Sequence, residues 1–391
     1  MSEILQRVLF VNGVPVDKGG VESAIMEVYR GVDHKRLLID FAVRKPQKGY
    51  FHDEIESYGG RVFNLFEHTK HKGNKKWNFS MDIYSVISLY KLLKNKGPFC
   101  AVHIAHPILD GFVIIAAKLA GIPVRIAHSN YVEVEDKNGP NLRRKLTRKL
   151  RLLFCKRLAT HLWGCSAAAM EFQFGKDSRD IRREVVPCPV NLKKFMSSSL
   201  NKEEACKELG ISMNKINFLC VGRYVKQKNQ LFLVECFAEM TKIRADLQLI
   251  LVGSGPLDNE IRRHAREYGI ENQLIMLDAR TYIPLALAAS DFFILPSISE
   301  GLGIALLEAQ ASGILCFASD ACQPESNMGL IEYLPLEKGA QYWANYILYQ
   351  VENESTSERQ IDKKHLVKFE TSYVVPRMQH VYLTGDKYSI I

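Results

Sequence analysis

The chain has 391 residues, of which 47% are hydrophobic, and a formal net charge of +9. That length accommodates two domains, each with its own core, and the composition excludes a disordered or fibrous protein. The longest apolar segments, Gly111–Val124 and Ile283–Pro296, are broken by Lys118 and Asp291 and are too short to span a bilayer. Nine cysteines, an odd number without a Cys-x-x-Cys pair, sit in apolar surroundings such as Leu219-Cys220-Val221. They read as reduced core thiols, not as a disulfide frame or a zinc site. The positive charge suits an acidic partner, but without interleaved aromatics or a recognised module it does not indicate nucleic acid.

In chain order, Met1-Ser2-Glu3 runs directly into the strand-like Arg7–Val11, so no leader is expected and the protein reads as cytoplasmic. Gly19-Gly20-Val21-Glu22 then opens a helix. Paired glycines let the backbone approach a ligand, and an early Glu suits the helix dipole, although a capped helix start explains the same residues equally well. The absence of a G-x-G-x-x-G pattern counts against a nicotinamide enzyme. Further strands are expected at Leu37–Val43, Arg61–Leu65, Cys100–Ile104, Val124–His128, His161–Cys165 and Glu184–Val186, with helical patterns such as Val21–Tyr29 and Met81–Lys94 between them. His103 and His106 bracket the end of one strand, and His128, followed by Ser129, ends another. Such histidines either orient a sugar by hydrogen bonding or serve the core.

Asn141–Arg157 carries Arg143, Arg144, Lys145, Arg148, Lys149, Arg151, Lys156 and Arg157 and no acid, among Leu142, Leu146, Leu150, Leu153 and Phe154. This amphipathic basic helix either lies on an anionic membrane surface or is a solvated face with its leucines packed inward. Lys70–Trp77 is a second basic segment. Pro187-Cys188-Pro189 interrupts regular structure and sets the expected linker between residues 1–188 and 189–370.

The second half repeats the alternation, with strands expected at Phe218–Val221, Leu247–Val252, Gln273–Leu277, Phe292–Leu295 and Ile314–Phe317. Alternation throughout predicts an α/β protein with parallel sheets, which bind ligands at the C-terminal ends of their strands. Val221-Gly222-Arg223 and Lys228 follow one strand, where two cations either clamp a diphosphate or are simply solvated. In Leu295–Gly313, a strand, a glycine loop and the helical Ile304–Ala311 create an anion site from free N–H groups and the helix dipole. Glu300 in the loop and Glu308 on the helix suit hydroxyls better than phosphate, which implies a ligand with both phosphate and sugar, or else two solvated glutamates on a surface loop.

Pro296, Ser297, Glu300, Gly301, Gly303, Glu308 and Ala309 fall in the frame P-S-x-x-E-G-x-G-x-x-x-x-E-A. In this the chain resembles the retaining glycosyltransferases of family 4. The resemblance spans essentially the whole chain and implies the GT-B architecture: two Rossmann-like domains facing a cleft, with a C-terminal helix, Thr371–Leu383, returning residues 371–391 to the first domain. It implies that Glu300 contacts the donor sugar, that the amides of Gly301, Leu302, Gly303 and Ile304 meet sugar and phosphate, and that Glu308 holds the ribose. Gly19 and Gly20 match the family's G-G-x-E loop. Gly222, Arg223, Lys228 and Asn229 match its V-G-R…K-N diphosphate clamp, and Gly253 to Pro256 a nucleotide loop. Arg280 falls where the base packs, although Asp278 replaces a usual Gly. Where relatives read H-x-H this chain has Ala105 and then His106, the histidine expected at the donor sugar, with His103, His128 and Ser129 on the acceptor side. Cys188-Pro189 replaces the usual Asn-Gly.

The resemblance is strongest to bacterial polysaccharide-assembly enzymes, judging by Arg125-Ile126-Ala127-His128-Ser129 and Glu332-Tyr333-Leu334-Pro335-Leu336. It implies a hexosyltransferase taking a UDP-sugar or other nucleoside-diphosphate sugar to a glycan or lipid-linked acceptor, by front-face attack. With no Asp-x-Asp in the sequence, neither a metal nor a resident cofactor is expected. The basic helix would hold such an enzyme peripherally at the inner face of the plasma membrane. A GT-B sugar-nucleotide epimerase and a non-catalytic nucleotide-binding protein are the alternatives.

Overall fold

The computed structural model describes residues 5–12, 15–17, 19–44, 48–66, 79–106, 111–132, 142–177, 179–196, 200–353 and 361–388, without the side chains of 79–82 and 142–144. The basic segment Lys70–Trp77 lies outside the described residues. The chain divides into two compact units, Met1–Pro189 with Thr371–Ile391, and Val190–Glu370.

The first unit is built on a parallel sheet of β1 (Gln6–Asn12), β2 (Leu37–Val43), β3 (Val62–Asn64), β4 (Ala101–Ile104), β5 (Val124–Ser129), β6 (His161–Gly164) and β7 (Arg183–Val185). Their order in space is β3-β2-β1-β4-β5-β6-β7. Every residue of β2 is buried, as an inner parallel strand covered by helices on both faces requires. The alternation along β1 divides the core in two. Val8 and Phe10 join Ile25, Tyr29, Trp163 and Tyr382, whereas Leu9 and Val11 join Val102, Ile104, Ile114 and Phe174. Asp40 is the exception within β2, and its buried carboxylate accepts from Arg7 Nη1 at 2.7 Å and Arg61 Nε at 3.0 Å. The C-terminal helix Thr371–Thr384 packs against the first helix, Gly20–Gly31, and contributes Val374, Val375, Met378, Val381 and Tyr382 to the first of these cores.

The second unit holds β8 (Ile216–Val221), β9 (Leu247–Val252), β10 (Leu274–Leu277), β11 (Phe292–Leu295), β12 (Leu315–Ser319) and β13 (Ile331–Leu334), in the order β10-β9-β8-β11-β12-β13. Its strand pairs are also parallel. The alternation read from the sequence is thus realised as two doubly wound sheets. The strand order reverses between β1 and β4 in one unit and between β8 and β11 in the other. Loops leaving neighbouring strands in opposite directions open a crevice at such a point, which is where ligands of this fold class bind.

No described helix is long and apolar enough to cross a membrane. All nine cysteines are free, and all but the partly buried Cys100 are buried, as their apolar settings predicted. The basic helix is present as Leu142–Leu158. Its inward face carries Arg151 and Cys155, while Leu146, Leu150, Leu153 and Phe154 are exposed, so these leucines are not the packed side.

Candidate functional site

The reversal point of the second unit gathers the loop after β8 and the loop after β11. Lys228 reaches across it: its ammonium lies 2.5 Å from Glu300 Oε1, and both side chains are largely buried. Ser297 donates its hydroxyl to the same oxygen at 2.6 Å. Glu300 therefore spends Oε1 on two donors inside the protein, and Oε2 remains to accept from a ligand hydroxyl. The loops are also stitched through their backbones. Gln227 accepts from the Ile298 N–H at 2.8 Å, and its side-chain amide donates to Ser299 O at 2.8 Å. Arg223, on the same β8 loop, is exposed and makes no salt bridge among the described residues.

The helix Ile304–Ala311 begins at Gly303, whose φ of +83° is the left-handed conformation that favours glycine, and no side chain caps its first turn. With no side-chain cap, the first N–H groups and the positive end of the helix dipole could hold an anion beside Glu300. Glu308 stands on the second turn of this helix and is half-buried.

Gly222, Gly253 and Gly255 belong to the same edge of the sheet. A side chain at Gly253 would lie 2.1 Å from the Gly222 carbonyl oxygen, so glycine there is what lets the β8 and β9 loops touch. Tyr224 N–H donates to Ser254 O at 2.9 Å and completes that contact. Arg280 is exposed on the loop after β10, and its N–H donates to Asp278 Oδ1 at 2.7 Å. Asp278 thus shapes the turn with its side chain, a physical reason for an acid in place of the usual glycine.

In the first unit Gly19 caps the helix Gly20–Gly31 with no side-chain hydrogen bond, and the Glu22 carboxylate folds back over it. His106 lies just beyond β4, half-buried. His103 and His128, expected on the acceptor side, are buried in the first unit. His128 Nε2 donates to Val186 O at 3.0 Å, so its Nδ1 must accept, at 3.2 Å, from His103 Nε2; His103 Nδ1 then accepts from Tyr382 Oη at 2.8 Å. All four ring nitrogens are used, and both rings are neutral. Ser129 is buried as well, and its hydroxyl donates to Tyr131 O at 3.4 Å.

Burial, together with the neighbouring His128, holds His103 well below the usual histidine range, and burial pushes His128 down to about 4. Because this group is harder to protonate folded than unfolded, its stabilising contribution is full above its ordinary value near 6.5 and is lost as the pH falls towards about 4. At pH 5 His128 alone should cost about 2 kcal/mol relative to neutral pH. The expected result is a lower melting temperature at pH 5 with the His128 ring still neutral by NMR. A His128 titration near 6.5 in the folded protein would contradict the assignment.

The sequence model of the family described as glycosyl transferases group 1 matches residues 201–364, the span that carries the Lys228–Glu300 cluster. The putative glycosyltransferase EpsF of Bacillus subtilis (strain 168) is 31% identical over 354 residues, covering 89% of this chain and 88% of that protein. The chain belongs to the group 1 glycosyl transferases. The transferase is also 33% identical, over 245 residues, to the UDP-Gal:alpha-D-GlcNAc-diphosphoundecaprenol alpha-1,3-galactosyltransferase of Escherichia coli, covering 61% of the chain and 62% of that protein. Its fold is GT-B. HepE of Anabaena, solved in complex with UDP and glucose, aligns with a TM-score of 0.76 at 16% identity over 97% of the transferase and 100% of that chain. WaaG, a glycosyltransferase involved in lipopolysaccharide biosynthesis, aligns with a TM-score of 0.68 at 16% identity, over 97% and 100%.

The structure adds residues of the transferase that its sequence did not single out. Gln227 ties the two loops together, Gln323 Nε2 donates to Glu300 O at 3.0 Å, and Ser319 Oγ donates to Ser297 O at 2.5 Å. No spacing announces them, because each acts through a backbone carbonyl brought near only by the sheet. Asn12, fully buried at the end of β1, has no hydrogen-bond partner for either amide atom among the described residues.

Proposed function

We propose that this glycosyltransferase moves a hexose from a UDP-sugar to a glycan or lipid-linked acceptor in cell-surface polysaccharide assembly, with retention of configuration and without a metal ion. The observation that carries the reading is the Lys228–Glu300–Ser297 cluster beside the uncapped start of helix Ile304–Ala311. It sets cations and free N–H groups for a diphosphate next to a carboxylate for sugar hydroxyls. Glu308, with Gly253, Gly255 and Arg280, takes the nucleoside; Gly19, Gly20 and His106 serve the donor from the first unit. UDP is the favoured nucleotide because HepE is solved with UDP and the Escherichia coli relative is a UDP-galactose enzyme. That relative's name, with a diphosphoundecaprenol-linked acceptor, supports a lipid-linked saccharide here.

In the step itself the acceptor hydroxyl oxygen bonds to the anomeric carbon on the face from which the diphosphate departs. The carbon–oxygen bond to the diphosphate breaks, and the hydroxyl proton passes to the departing phosphate oxygen. Negative charge develops on that phosphate, and Arg223, Lys228 and the helix N-terminus stabilise it. Glu300 accepts from a hydroxyl of the sugar as the ring flattens. The acceptor is met at the inner face of the plasma membrane, where the cationic helix Leu142–Leu158 holds the enzyme peripherally.

A panel of UDP-, GDP- and ADP-sugars, with and without a lipid-linked saccharide acceptor, tests this reading. Turnover of a UDP-sugar that survives EDTA and yields a glycosylated acceptor is expected. Loss on chelation with recovery by manganese would remove metal independence, and conversion of the donor into an epimer without acceptor would replace transfer by epimerisation.

A further inference from the structure

A niche of about 470 Å³ lies at the N-terminal ends of the strands, opposite the loops of His106 and Gly19, between the last turn of helix Leu142–Leu158, the start of β6 and the segment leading into β7. Leu153, Leu162 and Phe174 form its apolar wall. Its cations, Lys156, Arg157, Arg182 and Arg183, outnumber its acids, Asp177 and Asp180, by four to two.

Both acids are already engaged. Asp180 takes Arg182 through Nε at 2.9 Å and the terminal nitrogen at 2.6 Å, and Asp177 takes the Arg179 N–H at 3.1 Å and its Nε at 3.4 Å. Helix C-termini normally repel anions, but here the carbonyls of Lys156 and Ala159 receive Arg182 Nη1, and that of Leu158 receives Arg125 Nε. Arg183 is held in place by the carbonyls of Gly175 and Asp177, and its charge also acts on the Asp177 and Asp180 carboxylates. Lys156 and Arg157 make no salt bridge among the described residues. Lys156 and Arg157 therefore bring to the niche two positive charges beyond those its carboxylates face.

The apolar wall continues onto the helix surface. Leu146, Leu150, Leu153 and Phe154 recur at i, i+4, i+7 and i+8 and are 57%, 36%, 44% and 38% exposed. Leu153 belongs to both the stripe and the niche. The exposed Lys145 and Lys149 border the stripe. An apolar stripe edged by cations and ending in a cationic recess is complementary to the boundary between acyl chains and anionic headgroups.

We propose that the niche seats the phosphate of an anionic phospholipid headgroup, while Leu146, Leu150, Leu153 and Phe154 enter the outer acyl region. The inference rests on the membrane-docking part of the reading above and makes it a site with a defined ligand instead of diffuse attraction. It lies away from the loops of His106 and Gly19, so its loss leaves hydrolysis of a free donor intact.

The test uses the full chain, vesicles of phosphatidylglycerol or of phosphatidylcholine, soluble dihexanoyl-phosphatidylglycerol and inorganic phosphate. Lys156→Gln/Arg157→Gln removes the charges of the half-buried Lys156 and the exposed Arg157, and Lys35→Gln/Lys91→Gln removes two exposed charges elsewhere on the same unit. Co-sedimentation with phosphatidylglycerol vesicles is expected to weaken about thirtyfold in the niche variant and less than about threefold in the other. Leu150→Ser/Leu153→Ser should also weaken it, and phosphatidylcholine vesicles should bind little. Dihexanoyl-phosphatidylglycerol should shift the amide signals of residues 153–157 and 183, with phosphate at the same concentration shifting them far less. Equal loss in the two charge variants would overturn the niche and leave docking by diffuse charge. Equal shifts with phosphate would overturn the lipid assignment in favour of a free-phosphate site. Failure to bind any vesicle while the short-chain lipid still shifts these signals would uphold the headgroup site and remove membrane docking.

Discussion

Lys228→Ala is expected to lower turnover by at least about a hundredfold, with Arg223→Ala close behind, the scale on which one donor to a developing oxyanion acts. The two substitutions should nevertheless differ in stability. Arg223 is exposed and makes no salt bridge among the described residues, so its removal leaves the fold unchanged. Lys228 is paired at 2.5 Å with the buried Glu300, and its removal strands a carboxylate, at a cost of about 3 kcal/mol. Lys228→Ala/Glu300→Gln should recover most of that stability, because the stranded charge is gone, yet recover none of the turnover. Thermal melts and single-turnover rates on the three proteins separate the two roles. Normal turnover in a folded Lys228→Ala protein would move the phosphate clamp elsewhere.

The second large effect distinguishes the two glutamates. Glu300→Gln should depress kcat roughly a hundredfold, since in the proposed step the carboxylate meets a sugar that gains positive character only as the bond breaks. Ser297 still has an oxygen to donate to in the variant, so the loop keeps its shape. Glu308→Gln should chiefly raise KM, by roughly tenfold, because a hydrogen bond to ribose is made alike before and during reaction. Steady-state kinetics with the productive donor decide it, and a raised KM for Glu300→Gln with a lowered kcat for Glu308→Gln would exchange the roles.

The elements that the sequence announced best are those whose signal is local. Phe292–Leu295 followed by two glycines and the apolar periodicity of Ile304–Ala311 read as strand, loop and helix, and each has the expected bounds. The buried runs of β2 and β9 were equally plain, since a parallel strand covered on both faces is mostly apolar, with Asp40 and Gln248 the exceptions. β13 was not expected, because Ile331–Leu334 is a four-residue, half-buried edge strand ending at Pro335, too short for a period to show.

The histidines show where local reading ends. Whether a strand-terminal histidine turns to a ligand or to the core depends on its neighbours across the sheet. The partner that binds His103 is Tyr382, which comes from the other end of the chain. Similarly, the basic helix displayed its two kinds of residue, but which side packs was decided by the helices Val113–Leu119 and Ala167–Phe174 against it. Gln227 and Gln323 left no trace in the spacing, because their partners are carbonyls of a loop some seventy and twenty positions away.

Calorimetric titration of UDP into the transferase in the presence of EDTA tests the donor site most directly, with Lys228→Ala and Glu308→Gln run beside the wild type. Saturable binding to the wild type without metal, weakened in Glu308→Gln and lost or nearly lost in Lys228→Ala, is the predicted result. Binding that requires a divalent cation, or that is equally tight in all three proteins, would contradict the placement of the donor at the reversal point between β8 and β11.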